Sequence, residues 1–243
     1  MRTVVIAGGT RGIGRALAEQ MTGWNVVALG SADGDLSSMT QTRELIGRLP
    51  ERIDALVLSA GRFSSRRVVT GEGLERTWAI GVVARYLLAD GLRPALERAP
   101  RPVILNLCGV GGIRAGRIHW DDLQLTRGYS LLTMTMQGAR ANDLLGAGFA
   151  GRFPGSPIRY VLYNPLFVDS GMHRYFGQPL RSVIGVAAAL FGASPAAAAK
   201  PLAALLEDPP SAPLTALRRG KPVPLPDPAG AARLYDAMEA AGR

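Results

Sequence analysis

Short apolar runs alternate along the chain with longer stretches in which apolar residues recur every three or four positions. The short runs are rich in valine, isoleucine and leucine, which is typical of buried strands. They predict strands at residues 4–7, 25–29, 53–58, 103–107 and 158–163. The longer stretches predict helices at residues 15–21, 73–98 and 131–149. Strands that alternate with helices indicate a parallel sheet with helices on both faces.

The pattern changes after Ser170. Residues 173–193 are aromatic and aliphatic, and residues 194–206 are alanine-rich and predict a helix. Residues 208–228 are proline-rich and predicted to be irregular, and a short helix at 229–240 follows. No internal repeat or domain boundary appears, so we expect one domain over residues 1–243.

Composition agrees with a globular enzyme-sized domain. The 243 residues are 47% hydrophobic and 19% charged, enough for one well-buried α/β core. The chain runs directly into its first strand, its longest apolar run (183–193) is short of the roughly 20 residues of a membrane span, and its one cysteine fits a reducing compartment. We therefore expect a soluble cytoplasmic protein with no membrane partner.

A formal charge of +9 raises the question of nucleic acid. The arginines are scattered, however, and lysine occurs only at Lys200 and Lys221, so a solvated basic surface is the preferred interpretation and no nucleic-acid partner is expected. Two histidines and one cysteine, far apart in sequence, provide no metal-ligand spacing. No metal is predicted.

The first strand ends in a glycine-rich turn, GGTRGIG at residues 8–14. Such a turn between a strand and a helix lets a pyrophosphate approach the backbone at the positive end of the helix. A glycine turn without a ligand is the alternative interpretation, but the position of the turn favours a dinucleotide.

Further motifs accompany this turn. With its G-x3-G-x-G spacing stand LSAG at 58–61, EGLERTWAIGVVARYLLADGLRP at 72–94, IHWDDL at 118–123 and IRYVLYNPLFVDSGM at 158–172. Together they resemble the short-chain dehydrogenase/reductase superfamily over nearly the whole chain, and its retinol-dehydrogenase-like branch most. The resemblance implies a doubly wound Rossmann fold, a substrate lid at about 170–206 and a C-terminal extension at 207–243.

The resemblance also implies a set of cofactor-binding residues along the carboxyl ends of the strands. They are Gly8, Thr10, Arg11, Gly12, Ile13, Gly14, Ser31, Asp35, Leu36, Ser59, Ala60, Gly61, Pro165 and Val168. Arg11 resembles the basic residue that pairs with a 2′-phosphate, and Ser31 stands where an NAD enzyme places an acid, so NADP(H) is expected over NAD. Asp33 lies nearby and keeps NAD as the alternative. Because few residues separate the second strand from Asp35, a helix usual in the family is expected to be largely absent.

The family's four catalytic side chains are missing. Matching its motifs places the asparagine position at Gly81, the serine at Gly109, the tyrosine at Thr135 and the lysine at Ala139. No shift of the alignment restores a Tyr-x3-Lys pair, because no lysine precedes Lys200. No catalytic residue is therefore predicted, and Thr135, the only candidate at the tyrosine position, is more simply a small polar filler.

A substrate pocket is expected around the four positions Gly81, Gly109, Thr135 and Ala139, which we call the emptied floor. Its candidate residues are Gly109, Thr135, Met172, His173, Tyr175 and Phe176; ordinary lid packing is an equal interpretation for the last three. Cys108 is interpreted as an inert buried thiol and His119 as a surface or capping residue. The helices at 73–98 and 131–149 resemble the family's dimer interface, which predicts a homo-oligomer, dimer or tetramer.

Three functions remain open. The first is an atypical NADPH-dependent ketoreductase of a bulky aromatic or polyketide-like secondary metabolite, in which an ionisable group of the substrate replaces the missing tyrosine. The second is a redox-neutral cyclase, isomerase or dehydratase that acts by the shape of its pocket. The third is a non-catalytic nucleotide-binding protein.

Overall fold

A seven-stranded sheet runs through the part of the chain that the computed structural model describes, residues 1–110, 116–166, 193–224 and 228–241. Its strands are β1 (Thr3–Ala7), β2 (Asn25–Leu29), β3 (Ala55–Leu58), β4 (Val103–Leu107), β5 (Arg159–Asn164), β6 (Leu214–Arg218) and β7 (Lys221–Pro222). Their order is β2-β1-β3-β4-β5-β6-β7, and only β7 pairs antiparallel with its neighbour. The chain order reverses between β1 and β3, the point at which doubly wound sheets bind ligands.

Eight α-helices lie within the same described ranges. They are α1 (Gly12–Gln20), α2 (Met39–Gly47), α3 (Arg76–Trp78), α4 (Ala84–Gly91), α5 (Arg93–Glu97), α6 (Leu131–Arg152), α7 (Pro195–Glu207) and α8 (Ala231–Ala241). Helices α1 and α7 pack together on one face of the sheet, while α2, α4, α6 and α8 cover the other. No described helix is both long and apolar enough to cross a membrane.

Burial on both faces explains the apolar runs. All five residues of β1 are buried, and their side chains alternate between two hydrophobic clusters, one on each side of the sheet. Strands β3 and β4 continue the same layers. The predicted Rossmann-type α/β fold is confirmed.

The long helix predicted at residues 73–98 is wrong in detail. The structure begins the helix at Arg76, where the Glu75 carboxylate accepts a hydrogen bond of 2.8 Å from Trp78 N. A π-helical segment (Ala79–Val83) then separates α3 from α4, and Leu92 separates α4 from α5. Apolar periodicity does not reveal these changes of helix type, because the buried face stays apolar through all of them.

The proline-rich region 208–228 also differs from its prediction, since it contains β6 and β7. Strand β6 pairs with β5, with Tyr160 opposite Leu214, so its conformation depends on a partner more than 50 residues away in sequence. Helix α2 was not predicted either. Residues 30–38, all described, contain turns but no helix, which confirms the expected loss of a helix before Asp35.

Candidate functional site

The glycine-rich turn packs against the ends of β2 and β3. Gly8 has φ +89° and Gly12 has φ +58°, values that favour glycine. A Cβ atom on Gly8 would lie 2.7 Å from the backbone nitrogen of Ala60, and one on Gly14 would lie 2.2 Å from the carbonyl oxygen of Gly8. These glycines therefore keep a bare backbone surface at the carboxyl edge of the sheet.

Helix α1 opens at this surface without a side-chain cap. Its N-cap residue, Arg11, has extended backbone and makes no capping hydrogen bond. The first backbone N–H groups of α1 are thus left for another acceptor, and with the helix dipole they favour an anion. The residues present fit the pyrophosphate of a dinucleotide.

Just after β2, the Asp33 carboxylate is bound within a local turn. Gly30 N donates a hydrogen bond of 2.8 Å to the Asp33 carboxylate, which is thereby engaged in its own turn. Thr10 packs directly against Gly30, where a Cβ would lie 2.6 Å from the Thr10 hydroxyl oxygen. Arg11 is exposed beside them.

The predicted adenine-binding residues lie next to an open cavity. Asp35 accepts hydrogen bonds of 2.8 Å from both the backbone nitrogen and the hydroxyl of Ser37, while Leu36 packs against the core. The cavity has a volume of about 390 Å³. Its lining includes Asp35, Ser38, Gln41, Val69 and Glu72.

The ends of β3 and β5 carry the remaining described cofactor candidates. Ser59 follows β3 and donates to Ala7 O at 2.8 Å, which fixes Ala60 and Gly61 beside the glycine turn. Pro165 follows β5, and Leu166 adopts φ +61°, rare for leucine, with its N–H bound to Asn164 Oδ1 at 2.8 Å. Val168, Met172, His173, Tyr175 and Phe176 lie outside the described residues.

Of the four positions predicted to lack the family's catalytic groups, Gly109 follows β4 at the carboxyl edge of the sheet. Gly81 lies within the π-helical segment, and a Cβ on it would meet no atom within 4 Å. The Thr135 hydroxyl donates a hydrogen bond of 2.7 Å to Leu131 O, one turn earlier in the same helix. This bond leaves the Thr135 oxygen as an acceptor only. Gly109 and Ala139 are half-buried and carry no polar side chain.

A buried polar cluster, formed by Arg85, Asn106, Asn142 and Tyr160, lies beneath these positions. Asn106 Nδ2 donates to Asn142 Oδ1 at 2.9 Å and to the Tyr160 hydroxyl at 3.1 Å. Asn142 Nδ2 donates in turn to Gly81 O at 3.0 Å and to Gly138 O at 2.8 Å. The cluster thus joins β4, β5 and α6 to the π-helical segment, and sequence reasoning missed it.

Arg85 is the charged member of this cluster and is 9% exposed. Its Nη1 donates to Asn106 Oδ1 at 2.5 Å and Leu107 O at 2.6 Å, and its Nη2 donates to Ala60 O at 2.9 Å. Burial lowers the pKa of the guanidinium. The chain has many arginines, and Arg85 lies in a stretch that predicts an amphipathic helix. No local feature of the sequence therefore indicates that Arg85 is buried.

Two titratable groups lie near the cluster. Burial, reinforced by the Asp143 carboxylate, raises the pKa of the Cys108 thiol to about 12, which accords with an inert thiol. Burial also raises the pKa of Asp143 to about 7, against the opposing charge of Arg140. Asp143 follows Asn142 on α6, and its Oδ1 has no hydrogen-bond partner among the described residues.

No protein-family model matches the chain. Individual proteins do. It is 28% identical to human "Dehydrogenase/reductase SDR family member 12" over 72% of this chain and 58% of that protein. It is 31% identical to the "Putative daunorubicin C-13 ketoreductase DnrU" of Streptomyces sp. (strain C5) over 68% of this chain and 65% of that protein. The chain therefore spans less than two thirds of the length of these curated relatives.

Solved structures show the same architecture. The 3-alpha-hydroxysteroid dehydrogenase of Pseudomonas sp. B-0831, complexed with NADH, superimposes with a TM-score of 0.70 at 22% identity, over 90% of this chain and 96% of that one. On its sequence identity to the curated relatives, the chain belongs to the short-chain dehydrogenase/reductase superfamily. Another structure with this superfamily fold, the angucycline C-6 ketoreductase LanV with bound NADP, has a TM-score of 0.65 at 21% identity, over 90% and 94% of the two chains.

The cofactor role of the glycine turn and the absence of the family's four catalytic groups stay predictions. The predicted family and fold are confirmed, whereas the assignment to the retinol-dehydrogenase-like branch stays a prediction.

Proposed function

We propose that the chain is an NADPH-dependent ketoreductase. Its substrate is a bulky aromatic or polyketide-like ketone with an ionisable phenol or enol beside the carbonyl. The observation that carries this proposal is the bare glycine surface at α1 next to a floor that offers no acid at any of the four positions. The Streptomyces relative is named a putative daunorubicin C-13 ketoreductase and LanV an angucycline C-6 ketoreductase, and both names agree with the proposal.

The cofactor would be held by residues of the first three strand ends. Gly8, Gly12 and Gly14 would face its pyrophosphate, Arg11 a 2′-phosphate, and the cavity beside Asp35 its adenine. Because the nearby Asp33 carboxylate is engaged with Gly30 N, it repels a phosphate less than a free carboxylate would. NADPH supplies, when bound, the hydride that the ketone carbon receives.

The proton must come from the substrate. The Thr135 hydroxyl already donates a hydrogen bond to Leu131 O. An aliphatic hydroxyl is in any case too weak an acid to protonate the substrate. We therefore assign the proton to the flanking phenol or enol: the electron pair of the C=O bond moves to the carbonyl oxygen, which takes the phenol proton. The phenolate then regains a proton from water, so ketone, NADPH and one proton give alcohol and NADP+.

Calorimetric titration with NADPH, and with NADH in parallel, tests the cofactor. We expect NADPH to bind at least about tenfold more tightly than NADH, since a guanidinium–phosphate pair contributes about 1.5–3 kcal/mol. Arg11→Ala should remove this preference. Arg15→Ala, which changes an exposed arginine paired with Glu19 on the same helix, is the matched control and should bind normally. Failure to bind either nucleotide would sink the proposal.

Turnover tests the substrate class. Ortho-hydroxyacetonaphthone should be reduced with NADPH, and acetonaphthone, which lacks the flanking phenol, should react more slowly by about 10²-fold or more, the range of a positioned acid. Equal rates would remove substrate assistance. Conversion of a substrate without nucleotide, undiminished in Arg11→Ala, would instead support a redox-neutral enzyme.

A further inference from the structure

Arg85 places a positive charge two hydrogen bonds away from Gly81, through Asn142. It binds the carbonyl oxygens of Ala60 and Leu107, at the ends of β3 and β4. Through a longer contact of 3.4 Å it also reaches Asn142 Oδ1. Asn142 in turn binds Gly81 O, at the predicted asparagine position, and Gly138 O, next to the predicted lysine position.

This charge has no anionic partner among the described residues. The oxygens that accept from Arg85 are all neutral amides or carbonyls, and none of the ion pairs found in the described ranges includes it. Its Nε is buried without a hydrogen-bond partner there. An uncompensated buried charge is costly unless an anion joins it.

Cys108 and Tyr160 interact electrostatically with the guanidinium, and Asp143 interacts with Cys108. Cys108 on β4 and Tyr160 on β5 both have pKa values raised by burial, so both stay uncharged. Asp143 on α6 interacts with Cys108 and titrates near pH 7, with Arg140 on the same helix opposing its protonation. Asp143 forms no ion pair with Arg85 among the described residues.

We propose that Arg85 is the fixed counter-charge for a substrate oxygen that is, or becomes, negative on the emptied floor. It makes the site selective for ketones that carry an acidic phenol or enol. This inference rests on the proposed function, because it specifies the substrate class of that site. The charge acts through a low-dielectric interior, where it stabilises a nearby anion without contacting it.

A thiol reporter measures this field without any cofactor or substrate. Thr135→Cys, in a Cys108→Ala background, places a single half-buried thiol at the tyrosine position, and the pH dependence of its alkylation rate gives its pKa. With Arg85 present, the thiol should ionise at least about tenfold more readily than with Arg85→Gln, a pKa difference of about one unit or more. Arg85→Lys, which keeps the charge, should restore most of the difference.

Arg93→Met is the control, because Arg93 lies on α5 and pairs with Glu97; it should leave the reporter pKa unchanged. Equal reporter pKa values with Arg85 and Arg85→Gln would overturn the proposal. If Arg85→Gln does not fold, Arg85→Met takes its place in the same comparison, and equal reporter pKa values with Arg85 and Arg85→Met would likewise overturn the proposal.

Binding of the two naphthones completes the test. Ortho-hydroxyacetonaphthone should bind the protein at least about tenfold more tightly than acetonaphthone at high pH, and this preference should disappear in Arg85→Gln. A depressed reporter pKa without any such preference would overturn the substrate class. A depressed reporter pKa with the preference, but without NADPH binding, would instead remove the ketoreductase proposal and leave an anion-selective pocket.

Discussion

Asn106 donates a hydrogen bond of 2.9 Å to the side-chain oxygen of Asn142, and this contact joins β4 to α6 inside the core. Both amides are at least 96% buried. The pair also connects Arg85 to the floor. Asn106 Oδ1 accepts a hydrogen bond from Arg85, and Asn142 donates to Gly81 O and Gly138 O. Structure and charge at the site therefore depend on the same two side chains.

Asn142→Ala should destabilise the protein by about 2–4 kcal/mol, since it removes the buried hydrogen bonds that Asn142 makes to Asn106, Gly81 O and Gly138 O. Urea unfolding followed by circular dichroism measures this. Asn25→Ala is the control: Asn25 is exposed and reaches only Thr3 Oγ1 with its side chain, at 3.4 Å. A loss of under about 0.5 kcal/mol in Asn142→Ala would show that the cluster contributes little.

Gly14→Ala should abolish or strongly weaken nucleotide binding and lower the melting temperature. Its Cβ would lie 2.2 Å from Gly8 O, so the turn must move away from the start of α1. Gly47→Ala, at the exposed end of α2 with no atom within 4 Å of the added Cβ, should be neutral or slightly stabilising. Normal NADPH binding by Gly14→Ala would contradict the packing of the turn.

Asp143 should make the protein less stable as the pH rises from about 4 to 7. In this range an unfolded chain releases the proton of Asp143, whose ordinary pKa is about 3.9, while the folded protein retains it because burial raises that pKa to about 7. Above pH 7 the contribution is constant. Asp143→Asn should therefore gain stability over the natural protein by about 2–4 kcal/mol more at pH 8 than at pH 5.

Thermal melting of both proteins at the two pH values measures this difference. Asp121→Asn, which changes a carboxyl group in an exposed loop, provides the comparison and should give no pH-dependent gain. A gain equal at pH 5 and pH 8 would show that Asp143 is ionised in the folded protein throughout.

Glu72 should stabilise the start of α2 above about pH 4. Although partial burial opposes ionisation, bonds from Met39 N at 2.6 Å, Ser38 Oγ at 2.8 Å and Thr40 N at 3.1 Å lower the pKa of Glu72 to about 2. Its folded pKa lies below its unfolded value, so the contribution is present above about pH 4.3 and is lost as the pH falls towards 2. Glu72→Gln should cost about 0.5–1 kcal/mol at pH 7.

Urea unfolding at pH 7 and at acid pH distinguishes this cap from a general charge effect. Glu44→Gln, on the exposed face of the same helix, should change stability by much less at either pH. An equal loss in both variants would argue against capping by Glu72.

Much of the fold could be predicted because it is written in short-range patterns. A buried parallel strand needs both of its faces apolar, so β1 and β4 appear as mostly apolar runs. Helix α6 begins at Leu131, directly after Ser130, whose hydroxyl caps it. The glycine turn was visible for a similar reason, since its backbone needs glycine at fixed spacing. The absence of a Tyr-x3-Lys pair was also evident, because no lysine precedes Lys200.

Long-range contacts account for what could not be predicted. Strand β6 is a strand because Tyr160 lies opposite Leu214, and α3 begins where Glu75 caps it within an otherwise continuous apolar pattern. Thr135 could be placed at the tyrosine position, but only the structure shows that its hydroxyl donates a hydrogen bond to Leu131 O.

The sequence by itself thus determined the glycine-rich turn after the first strand and the absence of a Tyr-x3-Lys pair. Only the tertiary structure decided what lies beneath the floor, because Arg85 meets Ala60, 25 residues earlier, and Leu107, 22 residues later, only after the sheet has formed. An arginine in an amphipathic helix is ordinarily exposed. Its burial depends on carbonyl oxygens that the ends of two neighbouring strands bring together, and no local pattern of the sequence encodes that meeting.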